Sequence, residues 1–301
     1  RAEWVDANLA QFELMFAPLD EAYAGTLARM KGATTVGAFG QAMLSGQMGV
    51  LLGYLGQRVL GQYDLPVPGP DQTALANGNG AVPAVRAQGE GTVWYVVPNI
   101  VATERRHGFR PADFRLWIAL HETTHRRQFR GVSWLPGHIQ GLLDAYLGSV
   151  EVDDEAVRRL TQRLQGLARR VVAGERVDLL DLLVTPEQRT IVDRVQATMS
   201  VLEGHGEFVM DQLGARLVPG HQHMHDTLRA RRSAPGAAER LVQQLLGFRQ
   251  KLDQYAMGER FVRRLFERGG MAAVNQVFVE PAALPTLDEV RDPDRYLARA
   301  G

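Results

Sequence analysis

The sequence predicts a mainly α fold with a minimal β element, and three observations carry this. Apolar residues recur at mixed three and four spacings through most of the chain, the period of a helix buried on one side. Only one segment, "TVWYVV" at Thr92–Val97, concentrates β-branched and aromatic residues as a strand does. Proline, glycine and asparagine crowd into a single long stretch, residues 65–91, which reads as a loop or linker.

The elements follow in order. The opening "RAEWVDANLAQFELMFAPLDEAYAG" places Trp4, Leu9, Phe12, Leu14, Met15, Phe16, Leu19 and Tyr23 on an amphipathic helix interrupted near Pro18. Residues 39–60 continue a helical pattern despite five glycines, which suits close helix packing. Residues 1–64 thus form an N-terminal helical region, 65–91 the linker, and 92–301 the second region, the whole read as one compact domain. After the strand, Pro98 demotes its end to an edge position. Helices follow at about 111–130, 135–148, 153–173, 186–214 and 235–268, with a short one near 269–278. The last twenty or so residues read as an irregular tail ending in one helical turn.

Composition narrows the function. Lysine plus arginine and aspartate plus glutamate both total 34, so no net field favours nucleic acid or an anionic membrane surface. The apolar run Met48–Leu60 is broken by Gly53, Gly56, Gln57 and Arg58 and is too short to span a bilayer. With no signal-like segment at the start, a cytoplasmic location is expected. The chain has no cysteine, so any metal must be held by nitrogen and oxygen donors.

The chemistry concentrates in "LWIALHETTHRRQF", Leu116–Phe129. Residues four apart on a helix share a face, so His121 and His125 can aim at one point. Glu122, rotated about 100° from His121, can hold the proton of a water on the metal without ligating. This is the His-Glu-x-x-His arrangement of zinc hydrolases. Three polar groups within one turn of an apolar helix need partners to offset desolvation, and one cation satisfies all three.

A catalytic zinc takes three protein ligands, so a further donor is required. "MSVLEGHGEFVMDQLG", Met199–Gly214, again sets acidic groups and a histidine in an apolar helical pattern. Glu203 is the preferred third ligand, with Glu207 on the same face to accept the outer N–H of a ligating histidine. His205, roughly 200° around the helix from Glu203, is the rival ligand or an oxyanion donor. Gly204 and Gly206 suggest that two helices approach closely across the metal. Tyr255 is a candidate oxyanion contact, and Asn99 a candidate substrate contact beside an edge strand that could serve as a shelf for extended substrate. His221, His223 and His225 read as an exposed loop leading into a helix.

The segments "DFRLWIALHETTHRRQFRGVSWLPGHI", "LEGHGEFVMDQLG", "KLDQYAMGERFV" and "GGMAAVNQVF", in that order, resemble an uncharacterised zincin-like metallopeptidase family over roughly residues 90–300. Its members are described as hydrolases, and one branch is associated with biosynthesis of a deazaflavin coenzyme. The resemblance implies a reduced gluzincin architecture with Glu203 as third ligand and Glu122 as general base. It implies one Zn2+ ion, a peptide or small amide as substrate, and a zinc-dependent hydrolase, specifically a metallopeptidase. The alternative is a non-catalytic zincin-fold scaffold in a biosynthetic complex.

Overall fold

One long helix organises the molecule, and its start is written in the sequence. In the computed structural model, which describes residues 1–9, 56–64, 91–149, 185–233 and 251–300, the order is β1 (Gly61–Tyr63), β2 (Val93–Tyr95), α1 (Val97–His107), α2 (Pro111–Gly131), α3 (Leu135–Gly148), α4 (Pro186–Leu217), α5 (His221–Ser233), α6 (Lys251–Gln276), α7 (Leu287–Arg291) and α8 (Pro293–Ala300). Residues 2–9 are also helical. The helix α4 opens on a capping box: the Thr185 side chain accepts the Gln188 N–H, the Gln188 side chain accepts the Thr185 N–H, and Pro186 occupies the first turn, where an N–H would go unused. At 32 residues it is about 48 Å long. That is long enough to carry a separate core on each of two faces.

One core joins Ala197, Val201 and Phe208 of α4 to Phe261, Val262, Leu265 and Val274 of α6 and to Val277, Leu287, Val290 and Tyr296 beyond it. The other joins Met210 of α4 to Ile100 of α1, Phe114, Trp117 and Ile118 of α2, and Met224 and Leu228 of α5. The spine is thereby clamped between α6 on one side and α2 on the other. No described helix is long and apolar enough to cross a membrane.

The contact between α4 and α6 depends on glycine. A Cβ on Gly204 would lie 2.0 Å from the Gly258 carbonyl carbon, and one on Gly258 would lie 1.8 Å from the Ser200 oxygen. Backbone meets backbone there, and neither chain can give way as a flexible side chain would. The close approach suggested by the glycines is therefore real at Gly204, but it is made with α6 and not toward α2. Gly204→Ala should cost about 3 kcal/mol of stability through overpacking. Gly137→Ala, where the new Cβ meets nothing within 4 Å, should be neutral or stabilising by up to about 1 kcal/mol. Chemical denaturation of the two variants checks the contrast.

The β element is a two-stranded antiparallel ribbon with Gly61 opposite Tyr95, Gln62 opposite Trp94 and Tyr63 opposite Val93. Alternation sends Gln62 and Trp94 to one face, where Gln62 accepts from the Trp4 indole and both Gln62 and Trp94 donate to buried Asp64. Gly61 and Tyr63 face α2, where Tyr63 stacks on Phe129 with ring centroids 5.7 Å apart. Thus β1, contributed by the N-terminal region, pairs across the linker with β2.

Several expectations need correction. The strand ends at Tyr95, and Pro98 opens the unforeseen helix α1, which stops at Gly108 in the left-handed conformation, φ 67°. Proline suits a first helical turn as well as a strand end, and the sequence did not decide between them. Helix α4 runs past Gly214 to Leu217, because that glycine makes room for the His221 ring and does not terminate the helix. The break expected between the long helix and the short one after it is present inside α6, where Gly269 and Gly270 leave helical geometry, the latter at φ 62°. The irregular tail is instead two helices. Thr286 and Glu289 build a second capping box, and the Tyr296 hydroxyl donates to the Ala283 carbonyl at 3.0 Å. The helices expected at 153–173 and before 251, and most of those in the first 60 residues, lie outside the described residues.

Candidate metal centre

The face of α2 that follows Phe114 and Trp117 into the core presents the two histidines next. Trp117 stacks on His121, and His121 meets His125 edge to face with centroids 4.6 Å apart. Their Nε2 atoms stand 3.1 Å apart. From the facing turn of α4, Glu203 brings Oε2 to 3.5 Å from His125 Nε2. All three ligand atoms lie within 4.8 Å of one another. A tetrahedral zinc with bonds of 2.0–2.1 Å places neighbouring ligand atoms about 3.4 Å apart, close to the 3.1 and 3.5 Å separations about His125 Nε2, and the donors fit the ion in type and number. Gly206, one turn beyond Glu203, turns a bare backbone toward them: a Cβ there would lie 3.5 and 3.7 Å from the Cε1 atoms of His125 and His121.

The hydrogen bonds around the cluster differ from those expected. His125 Nδ1 lies 2.9 Å from Gln128 Oε1, and Gln128 Nε2 lies 2.8 Å from the Leu202 carbonyl and 2.9 Å from His205 Nδ1. The outer nitrogen of His125 is therefore held by Gln128, and Glu207 lies buried on α4. His205 is not in the ligand cluster. Its ring accepts from Gln128 and packs edge-on against Phe278. Burial, with the nearby charge of His125, pushes the His205 pKa down to about 4, so it is a neutral acceptor.

Electrostatics of the protein groups themselves favour a cation. Burial lowers the affinity of His125 for a proton, yet the hydrogen bond and charge of Glu203 outweigh it and, with Gln128 and Glu122, raise its pKa to about 9. The negative potential that draws a proton to this point would equally draw a metal ion. Burial pushes Glu122 up to about 7, with His125 opposing and Glu203 adding to the rise. Such a carboxyl is poised to exchange protons near neutrality.

Strand β1 holds that carboxyl in place. A Cβ on Gly61 would lie 2.5 Å from Glu122 Oε1 and 2.7 Å from both Cδ and Cγ. The whole Glu122 side chain rests on this glycine. Tyr95, the cross-strand partner of Gly61, shares its face; burial and the Glu122 charge both raise its phenol pKa, and the residue remains 42% exposed. Gly61→Ala should therefore displace Glu122 by roughly 1 Å and cost about 100-fold in turnover while zinc is retained. Parallel rate and zinc-content measurements check it.

Asn99 needs reassignment. It is buried, its amide donates to the Gly56 and Val59 carbonyls at 2.9 and 2.7 Å, and its oxygen accepts from Arg1. With both amide hydrogens engaged, it braces the chain entering β1 and does not face a substrate. Tyr255 lies in α6, and its side chain is outside the described residues. The histidines after Gly220 do not form an exposed loop. They lie on α5, with His221 and His225 buried beside Asp211, which is bonded at 2.8 Å by Arg263.

Sequence reasoning missed Gln128, Gly61 and Tyr95. Gln128 was within reach, since it lies three residues after His125 and seven after His121 and so shares their helix face. Gly61 and Tyr95 carried no comparable signal, because their relation to Glu122 arises only when the ribbon packs on α2.

A His-Glu-x-x-His helix facing a glutamate on a second helix, with little sheet, defines a zincin-like metal-centre protein. Residues 1–297 match the family described as zincin-like metallopeptidase, and the chain belongs to that family. Its fold is similar to a crystal structure from Chloroflexus aurantiacus described as a "putative hydrolase with a novel fold", at 30% identity and a TM-score of 0.64, covering 99% of this chain and 77% of that one. No curated protein matches the chain.

Proposed function

We propose that the protein is a zinc-dependent hydrolase acting on a peptide or small amide, with one Zn2+ held by His121, His125 and Glu203. The observation that carries this reading is the convergence of two imidazole nitrogens and a carboxylate within 4.8 Å, with a second carboxyl of pKa about 7 on the next residue of the same helix. Bound there, zinc polarises a carbonyl and lowers the pKa of water to about 7. Glu122 takes the proton from the attacking water and delivers it to the departing nitrogen as the C–N bond breaks. Burial keeps bulk water from competing for that proton, and Gly61 fixes the carboxyl's position. The Tyr95 phenol, on the same face, offers an O–H to the substrate, and β2 is the candidate shelf for extended backbone.

Membership of a metallopeptidase family supports the hydrolase class. Incubating the zinc-loaded chain with a peptide library tests the activity. Cleavage that stops on chelation and returns with added zinc is expected. A zinc-loaded chain that cleaves neither peptides nor small amides would instead mark a binding protein that retains the centre.

A further inference from the structure

We propose that Gln128 is the positioning residue of this centre: its side-chain amide fixes the tautomer of His125 and ties α2 to α4 beside Glu203, so that one neutral group sets both halves of the ligand set. The inference rests on the zinc reading of His121, His125 and Glu203.

The orientation of the amide follows from its partners. A carbonyl oxygen only accepts, so the atom 2.8 Å from the Leu202 carbonyl is the amide nitrogen, and the atom 2.9 Å from His125 Nδ1 is the amide oxygen. An amide oxygen cannot donate, so His125 carries its hydrogen on Nδ1. When His125 is neutral, its Nε2 then presents a lone pair toward His121 and Glu203, as a metal ligand must. The second amide hydrogen reaches His205 Nδ1 at 2.9 Å, which leaves Gln128 saturated and only 5% exposed.

Glutamine suits this position better than glutamate. A carboxylate could still accept from His125, but it would face the Leu202 carbonyl and the His205 acceptor with nothing to donate. The amide also adds no charge to a site that already holds Glu203 and Glu122. Leu202 immediately precedes Glu203, so the hydrogen bond from Gln128 controls the approach of the third ligand to the histidine pair.

The test is zinc affinity, measured by chelator competition on the full chain, for Gln128→Met, Gln128→Glu and His205→Phe. Loss of the outer partner of a ligating histidine typically costs about 10–100-fold in metal affinity, and Gln128→Met should fall in that range. Spectra of 15N-histidine-labelled, zinc-loaded protein should show the His125 Nδ1 proton hydrogen-bonded and slow to exchange in the wild type, and the same proton without that hydrogen bond and faster to exchange in Gln128→Met. His205→Phe removes one acceptor of the amide and leaves the His125 bond in place, so it should bind zinc as the wild type does. Gln128→Glu keeps the acceptor for His125 and loses both donors. Because the tie to the Leu202 carbonyl goes with the donors, it should bind zinc less tightly than the wild type and more tightly than Gln128→Met, and it carries the comparison if Gln128→Met does not fold.

Wild-type affinity in Gln128→Met, an equal loss in His205→Phe, or a Gln128→Glu chain as weak as Gln128→Met would each overturn the proposal, since any of these makes the amide an internal strut. A wild-type chain that takes up no zinc fails at an earlier step: the centre itself is then misread, before any variant is compared, and the proposal falls with it.

Discussion

Replacing Glu122 by glutamine is expected to leave one zinc bound per chain and to lower hydrolysis by roughly 10²–10⁴-fold, the usual contribution of a positioned general base. Glutamine has the shape of glutamate and should fill the same space against Gly61, so the ribbon and α2 remain packed. It cannot accept a proton from water. Zinc retention follows because Glu122 is outside the cluster of converging ligand atoms. Removing a buried carboxyl that burial itself holds near pKa 7 should also leave stability unchanged or slightly raised, since a neutral amide costs less to bury than an ionised carboxylate. Hydrolysis at the wild-type rate by zinc-loaded Glu122→Gln would remove Glu122 from the mechanism while leaving the metal centre intact.

Replacing Glu203 by alanine should have the opposite pattern, with metal lost first and activity as a consequence. Two imidazoles at 3.1 Å remain, but the only acidic member of the ligand cluster is gone, and zinc prefers at least three protein donors. The loss of affinity should exceed the roughly 10–100-fold that an outer partner costs. Zinc at one hundred times its dissociation constant stabilises a folded chain by about 2.7 kcal/mol, and Glu203→Ala should forfeit that increment. Thermal melts with and without zinc read this directly. His205→Ala, two residues along the same helix, should keep the zinc-dependent shift because its imidazole accepts from Gln128. A zinc-dependent shift retained in Glu203→Ala and lost in His205→Ala would transfer the third ligand to His205.

What was legible in the sequence was whatever a single helix encodes by itself. The His121–Glu122–His125 set needed only the 3.6-residue period, and Glu203 stood out as a carboxylate inside an apolar frame. The starts of α2 and α4 were written in Pro111, Thr185 and Pro186. What required the fold was every relation between elements. Gly204 and Gly206 are two residues apart and look alike in sequence, yet one meets the Gly258 backbone and the other faces the imidazoles. Asn99 looked like a substrate contact because it follows a strand, but the carbonyls it binds belong to residues about forty positions earlier. His221 and His225 looked exposed because their neighbours are polar, whereas α5 turns both against α4. Local polarity does not reveal which side of a helix will be covered.

The central claim is that His121, His125 and Glu203 hold one cation between them. An anomalous-scattering map recorded at the zinc edge from crystals of the zinc-loaded chain tests it most directly. The account predicts a single strong peak within bonding distance of His121 Nε2, His125 Nε2 and a Glu203 carboxylate oxygen. A map with no peak among these three atoms, or with its peak bonded to His205 in place of Glu203, would contradict it.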